Sequence, residues 1–417
     1  MRSRTSPPVP WRPDGVREAA GGLVALSLAT FVAITTELVP VGLLPLISDD
    51  LAVSESLTGL LVSAYAFMVA ALAVPLTHAT RRLPRKGLLL GALAVYTASN
   101  VIVAVAPTFA VVAAARALGG ASHAIFFSVA IGYASRLVRP HLTGRALALV
   151  TAGASAGFVL GVPLTTSLGT AVGWRASFMV LGGACALAGV LTAFLLPPVA
   201  GGGAPPDDAA RGTRRSALAT VSTTNALVYL GQYAVYTYVS VLLLATGLAV
   251  GALGPVLLVL GGLGLAGTAF AAARLDRRPR HTTIITLAVV AGGIIAVGVV
   301  FPSTVGVLAA TAVWSAGFGA VASVFQTAAI RTHGASPDVT GALVNATANL
   351  GIGGGAALGA LVLTGPGLAT LPYFGAVIVA AALIVVVLAR GAFPATPAAP
   401  PAADDARVPD DARSRAS

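Results

Sequence analysis

The 417-residue chain is short of charge: Asp, Glu, Lys and Arg make up 9% of it, against about 25% in ordinary soluble domains. Lys86 is the only lysine and Cys185 the only cysteine. A single cysteine excludes an intramolecular disulfide and a cysteine-based metal cluster. A Walker A loop requires Gly-Lys-[Ser/Thr], but the one lysine stands in Arg85-Lys86-Gly87. The sequence therefore offers no P-loop through which ATP would drive work directly. No nucleophile–base pair and no metal-ligand cluster stands inside the apolar runs. An enzyme is not expected, nor are a metal or an organic cofactor.

What the chain has in quantity is apolar sequence. It is 57% hydrophobic, with a mean hydropathy of +0.91. Stretches of about twenty apolar residues recur, the length that crosses roughly 30 Å of hydrocarbon. Twelve spans are predicted, near 22–47, 57–78, 87–106, 108–134, 146–170 and 174–197, then 217–245, 250–273, 283–301, 304–330, 341–364 and 369–390. This is an all-α membrane protein, and the lipid bilayer is its first partner.

The net charge of +11 would suit nucleic acid, but the arginines lie in short loops, where membrane orientation explains them. Of the 25 Lys and Arg residues, 23 fall on one side when the spans alternate. The other side holds Arg175 beside Asp49, Asp50 and Glu55, and Arg116 lies within the fourth span. This asymmetry places both termini in the cytoplasm. Residues 1–21 form a cytoplasmic tail. The apolar run that follows is too long for a signal peptide, so it stays as the first span. Residues 198–216 read as a cytoplasmic linker, and 391–417 as a disordered cytoplasmic tail.

The halves repeat. TRRLPRK (80–86) recurs as LDRRPRH (275–281) at an offset of 195 residues, and LTGRALALV (142–150) answers VTGALVNAT (339–347). The matches follow spans two and eight and precede spans five and eleven. Two pseudo-symmetric six-helix bundles, 22–197 and 217–390, follow from this, the architecture of a rocking transporter with a central site.

Ionisable residues inside spans are costly and mark function. Glu37 is the only acid placed there and Arg116 the only deep cation. A carboxyl whose surroundings alternate can load and unload a proton; the plainer alternative is a fixed Glu37–Arg116 ion pair locking spans one and four. His123, two turns beyond Arg116 on the same face, can relay protons, bond substrate or merely pack. In span seven Asn225, Tyr229, Gln232, Tyr233 and Tyr236 share one stripe, and in span eleven Asn345 and Asn349 share a face. Such stripes should face the interior, either to bind substrate or to bond helix to helix. Tyr65 and Trp314 add aromatic surface for stacking on a sugar ring or a planar drug.

These motifs resemble the major facilitator superfamily, in particular its twelve-span drug:proton antiporters. The loop after span two is similar to GxxxDRxGRR, keeping Arg82, Arg85 and Lys86; Arg81 replaces its aspartate, which the second copy retains as Asp276 alongside Arg277 and Arg280. ARALGG (115–120) is similar to the RxxxG motif through Arg116 and Gly120. GFVLGVPLTTSLG (157–169) resembles the antiporter motif of span five, with Gly161 and Pro163 separated by Val162. The wording of TTELVPVGLLP, HAIFFS, LGVPL and GWRASF is similar to bacterial arabinose-type sugar efflux transporters. Purine-nucleoside and chloramphenicol exporters share much of it.

The resemblance implies gating roles for Arg82, Arg85, Lys86, Gly161, Pro163, Asp276, Arg277 and Arg280. It also implies a monomeric, proton-driven exporter of a small solute, a sugar first or a drug. Import by proton symport and a non-transporting membrane sensor are the alternatives.

Overall fold

The structure, a computed structural model, describes residues 19–80, 82–134, 136–139, 142–198, 212–335 and 337–394. Regular structure among the described residues is helical throughout, and twelve helices are long and apolar enough to cross a membrane. They are α1 (Ala20–Asp50), α2 (Glu55–Thr80), α3 (Arg85–Val105), α4 (Phe109–Ala134), α5 (Thr143–Val172) and α6 (Trp174–Leu195). The second six are α7 (Arg214–Ala245), α8 (Val250–Arg274), α9 (Pro279–Val300), α10 (Thr304–Arg331), α11 (Val339–Thr364) and α12 (Leu368–Leu388). Each predicted span meets one of these helices. Arg81, the linker from 199 to 211 and the tails before 19 and after 394 lie outside the described residues.

Packing repeats with the sequence. In the first bundle α1 lies against α5 and α6, α2 against α4, and α3 against α4 and α6. Adding six to each number gives the second bundle: α7 with α11 and α12, α8 with α10, α9 with α10 and α12. The two bundles meet through α2 on α11 and α5 on α8, a pair of contacts that the same operation exchanges.

The repeated basic loops have a structural task. Lys86 Nζ donates to the carbonyls of Ala193 (2.7 Å) and Leu196 (2.6 Å) at the end of α6. Arg280 donates to the Val387 carbonyl (2.5 Å) at the end of α12. A cation thus meets the carbonyl-rich, partially negative terminus of the last helix of each bundle. Arg331 ties α10 to the loop before α9 through Asp276 (2.8 Å) and the Leu275 carbonyl (3.3 Å). Arg82 and Arg277 are exposed and Arg85 half-buried. The contacts of Lys86, Arg280 and Arg331 stitch each bundle to itself.

Two boundaries differ from the sequence expectation. Residues 212–216, read as linker, already belong to a helix. Residues 391–394, read as the start of a disordered tail, fold back: Ala392 and Phe393 are buried, and Phe393 meets the Phe325 ring edge-on at 6.3 Å. A single aromatic residue in an Ala/Pro-rich run supplied the apolar surface that composition averaged away.

The helices bend where the sequence removes hydrogen bonds or side chains. In α5 residues Gly157–Gly161 form a π turn just before Pro163, whose missing N–H leaves the Val159 carbonyl without its helical donor. α10 is interrupted between Phe318 and Val321. There Gly319 lies so close to α8 that a Cβ would strike the Gly264 carbonyl, and Thr268 donates to the Gly319 carbonyl at 2.8 Å.

Close approach between the bundles is seen at one end. At the end away from the termini, Ser63 donates to the Gly353 carbonyl at 2.8 Å. Nearby, side chains at Gly59 and Gly254 would run into Tyr238 and Ser167. α8 packs on the π turn and second half of α5 rather than on its first half, where Arg145, Leu149 and Ala152 are exposed. Among the described residues these close approaches all lie away from the chain ends, and the first half of α5 is left uncovered by α8.

Candidate functional site

Two prolines in α1 set up the site. Pro40 and Pro45 lie inside the helix, and a proline cannot donate to the carbonyl four residues earlier. The carbonyls of Thr36 and Val41 are thereby left open in a low-dielectric interior, and unpaired buried carbonyls are costly. Both are filled by other helices. The Arg116 guanidinium, from α4, donates to the Thr36 carbonyl and to the Glu37 carbonyl, the latter at 2.7 Å. Ser240, from α7 of the other bundle, donates to the Val41 carbonyl at 2.8 Å.

The fixed Glu37–Arg116 side-chain ion pair, the plainer alternative, is not formed. Arg116 is spent on backbone opened by Pro40, and its guanidinium carbon sits 4.3 Å from the centre of the Tyr65 ring, a cation–π contact. The polar side chain nearest the carboxylate in the ion-pair range is His123, with Nε2 3.7 Å from Oε2 of Glu37, a charge pair only when the imidazole is protonated. That separation is electrostatic, too long for a hydrogen bond. Glu37, Arg116 and His123 are all buried.

Tyr65, read from sequence as a stacking surface for substrate, sits inside this cluster with no exposed surface. Its hydroxyl lies 2.9 Å from Nδ1 of His123. Gly120 makes this possible, since a side chain there would collide with the Tyr65 backbone. That is the physical content of RxxxG: the arginine and, one turn on, the gap that admits its neighbour. Phe127 stacks on the imidazole at 4.7 Å and Tyr96 meets it edge-on at 6.3 Å. If the Tyr65 hydroxyl donates to Nδ1, the imidazole proton resides on Nε2 and points at Glu37.

Tyr65→Phe should slow transport about tenfold, the effect of roughly 1.4 kcal/mol. It should also change the shape of the pH profile, while membrane insertion stays normal. An unchanged pH profile would reduce Tyr65 to packing.

The second bundle contributes an aromatic wall. Tyr229 and Tyr233 stack at 6.1 Å, Tyr236 meets Tyr233 edge-on at 5.6 Å, and Trp314 meets Tyr236 at 6.2 Å. Phe318, which sequence reasoning missed, closes the group against Tyr229 and Tyr233. It lies four residues after Trp314, hence on the same helical face, and that spacing was the available signal. Gln232 accepts a hydrogen bond from the Trp314 indole N–H at 2.5 Å.

The asparagines are differently employed. Asn225 donates to the Val344 carbonyl and to the Thr347 hydroxyl, binding α7 to α11. Asn349 donates to the Asn345 carbonyl at 3.1 Å within α11. The Tyr233 hydroxyl and the Asn349 Oδ1 are buried without a hydrogen-bond partner.

Wall and charge cluster face one another. Ile34, Leu38 and Val41 of α1 share one apolar cluster with Tyr229, Tyr233 and Trp314. Gly161, beside the π turn, lets α5 close on α1, where a side chain would strike Thr35. The charge cluster and the aromatic wall thus belong to opposite bundles and meet at the plane on which the bundles would rock.

Residues 26–344 match the profile of the Major Facilitator Superfamily. A chloramphenicol efflux pump of Mycobacterium tuberculosis strain H37Rv is 33% identical over 367 residues, 85% of this chain and 87% of that protein. A probable sugar efflux transporter of Mannheimia succiniciproducens is 29% identical over 364 residues, 87% of this chain and 92% of that one. Among solved structures, a bacterial homologue of the human lysosomal transporter Spinster, inward-facing and occupied, aligns with a TM-score of 0.71 at 15% identity, over 89% of this chain and 96% of that one. A peptide transporter in complex with sulfate aligns with a TM-score of 0.71 at 12% identity, over 90% and 97%.

Proposed function

Because this chain belongs to the major facilitator superfamily, and is thus a membrane transporter of small molecules and not an enzyme, we propose that it exports a small uncharged solute bearing an aromatic ring, in exchange for protons. Both termini are then cytoplasmic in a bacterial inner membrane, and the structure is the inward-open state. The observation that carries the reading is the position of Glu37. It is a buried carboxylate whose neighbouring arginine is held on backbone, so its own charge is free to change.

Proton and solute exchange through one chamber. Open to the outside, Glu37 takes a proton and loses its attraction for His123. Open to the cytoplasm, an arriving solute against the aromatic wall favours the form without that proton. Each ligand prefers one state, which is what coupling requires.

The wall favours an aromatic solute over a sugar. The indole N–H and the Gln232 carbonyl oxygen satisfy each other, and Asn225 donates to α11, which takes these groups away from a polyol. The rings of Tyr236 and Phe318 are half-buried, and the relative named for chloramphenicol efflux fits an aromatic contact there. The relative named for sugar efflux supports the second reading through the unpartnered Tyr233 hydroxyl and Asn349 oxygen.

Everted vesicles with an acid interior should accumulate labelled chloramphenicol, and a protonophore should stop it. Tyr236→Ala should raise the KM for chloramphenicol about three- to tenfold, since one aromatic pairing contributes roughly 0.5–1.5 kcal/mol. An unchanged KM together with impaired transport of labelled arabinose would transfer the assignment to sugars.

A further inference from the structure

At the end nearest the described chain ends, inside the second bundle and away from Glu37 and the aromatic wall, α7, α9, α10 and the segment after α12 enclose a cavity of about 250 Å³. Arg214, Arg280 and Arg331 line it, with Phe393 in its apolar wall. We propose that this cavity binds a phosphate-bearing anion.

The charge balance points there first. Three arginines line the cavity, and the carboxylate beside them, Asp276, is already engaged by Arg331 at 2.8 Å. Two positive charges are left uncompensated among the described residues. Arg214 makes no ion pair with a described residue, and Arg280 uses a terminal nitrogen on the Val387 carbonyl while its Nε is buried with no hydrogen-bond partner. A buried guanidinium N–H without an acceptor is costly unless a ligand supplies one.

Backbone adds to the same sign. The cavity lies at the start of α9, a 22-residue helix that begins with Pro279, and helix N-termini carry partial positive charge and free N–H groups. Two of the three threonine hydroxyls of the lining are occupied, Thr283 donating to the Pro279 carbonyl and Thr332 to the Ala329 carbonyl, which leaves Thr327 as a neutral hydroxyl in the lining. The arginine forks supply the charge selectivity, and their geometry matches the several oxygens of a phosphate.

The rest of the cavity is apolar, walled by Leu275, Val324 and Phe393. A site charged on one side and apolar on the other suits a phosphoester. Its source is either free phosphate or the headgroup of an anionic phospholipid, for which basic pockets at this membrane level are suited. Phe393 and Arg331 belong to the returning segment and to the second half of the interrupted α10. Occupancy would brace both against α7 and α9.

The full-length protein in neutral detergent tests this by thermal unfolding. Inorganic phosphate, titrated at constant ionic strength against chloride, should raise the unfolding midpoint. Arg280→Gln and Arg214→Gln should each weaken that response about tenfold, the loss expected for one charge-assisted contact. Arg145→Gln, at an exposed arginine on the first bundle, should leave it intact. Arg214 is exposed, so its variant stays informative if loss of the Arg280 cap on α12 harms folding.

Native mass spectrometry from phosphatidylglycerol and phosphatidylcholine nanodiscs separates the sources. Selective retention of phosphatidylglycerol, weakened by the same two variants, identifies a headgroup. A phosphate response without retention identifies a soluble anion. The proposal fails if neither ligand shows a preference, or if Arg145→Gln weakens the response as much as the cavity variants do.

Discussion

Glu37→Gln should abolish uphill transport while leaving substrate binding in place. Glutamine keeps the size and much of the hydrogen bonding of the carboxyl but cannot cycle a proton. A proton crossing 100 mV supplies about 2.3 kcal/mol, enough to hold roughly a 50-fold gradient of a neutral solute. In the Gln variant that accumulation ratio should collapse to about one, because nothing links solute movement to the gradient. Downhill exchange of solute for solute should persist, since the aromatic wall is untouched. Glu37→Asp should transport slowly with an altered pH profile, its carboxyl being drawn back from His123. Counterflow in proteoliposomes and gradient-driven uptake in everted vesicles, compared in the same preparations, separate these outcomes. Loss of both activities in a correctly inserted Gln variant would make Glu37 part of the rocking machinery itself.

The second large effect concerns Arg116 and the proline opposite it. Arg116→Gln withdraws the donor that fills the Thr36 carbonyl, and an orphaned buried carbonyl costs about 1–3 kcal/mol. The variant should unfold at a lower temperature and lose transport. Pro40→Ala restores an N–H four residues after Thr36, so the helix can satisfy that carbonyl itself. In the Arg116→Gln background it should recover a large part of the lost stability, a coupling of roughly 1–2 kcal/mol in a double-mutant cycle. Transport should stay lost, because Glu37 still lacks its neighbouring cation. Strictly additive stability effects would mean that Arg116 holds α1 by some means other than the proline-opened carbonyl.

This pair also shows what could be read from the sequence and what could not. The twelve spans were legible because apolar runs of membrane length and the one-sided arginines are one-dimensional signals. The twofold repeat was legible through its basic loops, and the structure adds that both loops cap the last helix of their own bundle. Glu37, Arg116 and His123 stood out because charge is scarce in such a chain.

Their connections were less legible. Opposite charges suggested an ion pair, whereas the prolines of TTELVPVGLLP open backbone carbonyls that compete for the guanidinium. The local rule that a proline orphans the carbonyl four residues back was available; which helix answers it depends on packing. Tyr65 was unreadable for a similar reason. Its neighbours come from α4 through the gap at Gly120, 55 residues along the chain, and no spacing within α2 announces that contact. The stripe of α7, by contrast, lies on one helix, so its period alone brought Tyr229, Tyr233 and Tyr236 together.

The most direct measurement is proton release on substrate binding. Purified protein in weakly buffered detergent solution receives chloramphenicol while a pH-sensitive dye reports free protons, with no membrane and no gradient to complicate the reading. The account predicts a stoichiometric release from the native protein at pH values where Glu37 is loaded, and none from Glu37→Gln although the variant still binds the compound by calorimetry. Equal release from both proteins would contradict it and place the coupling proton on another group.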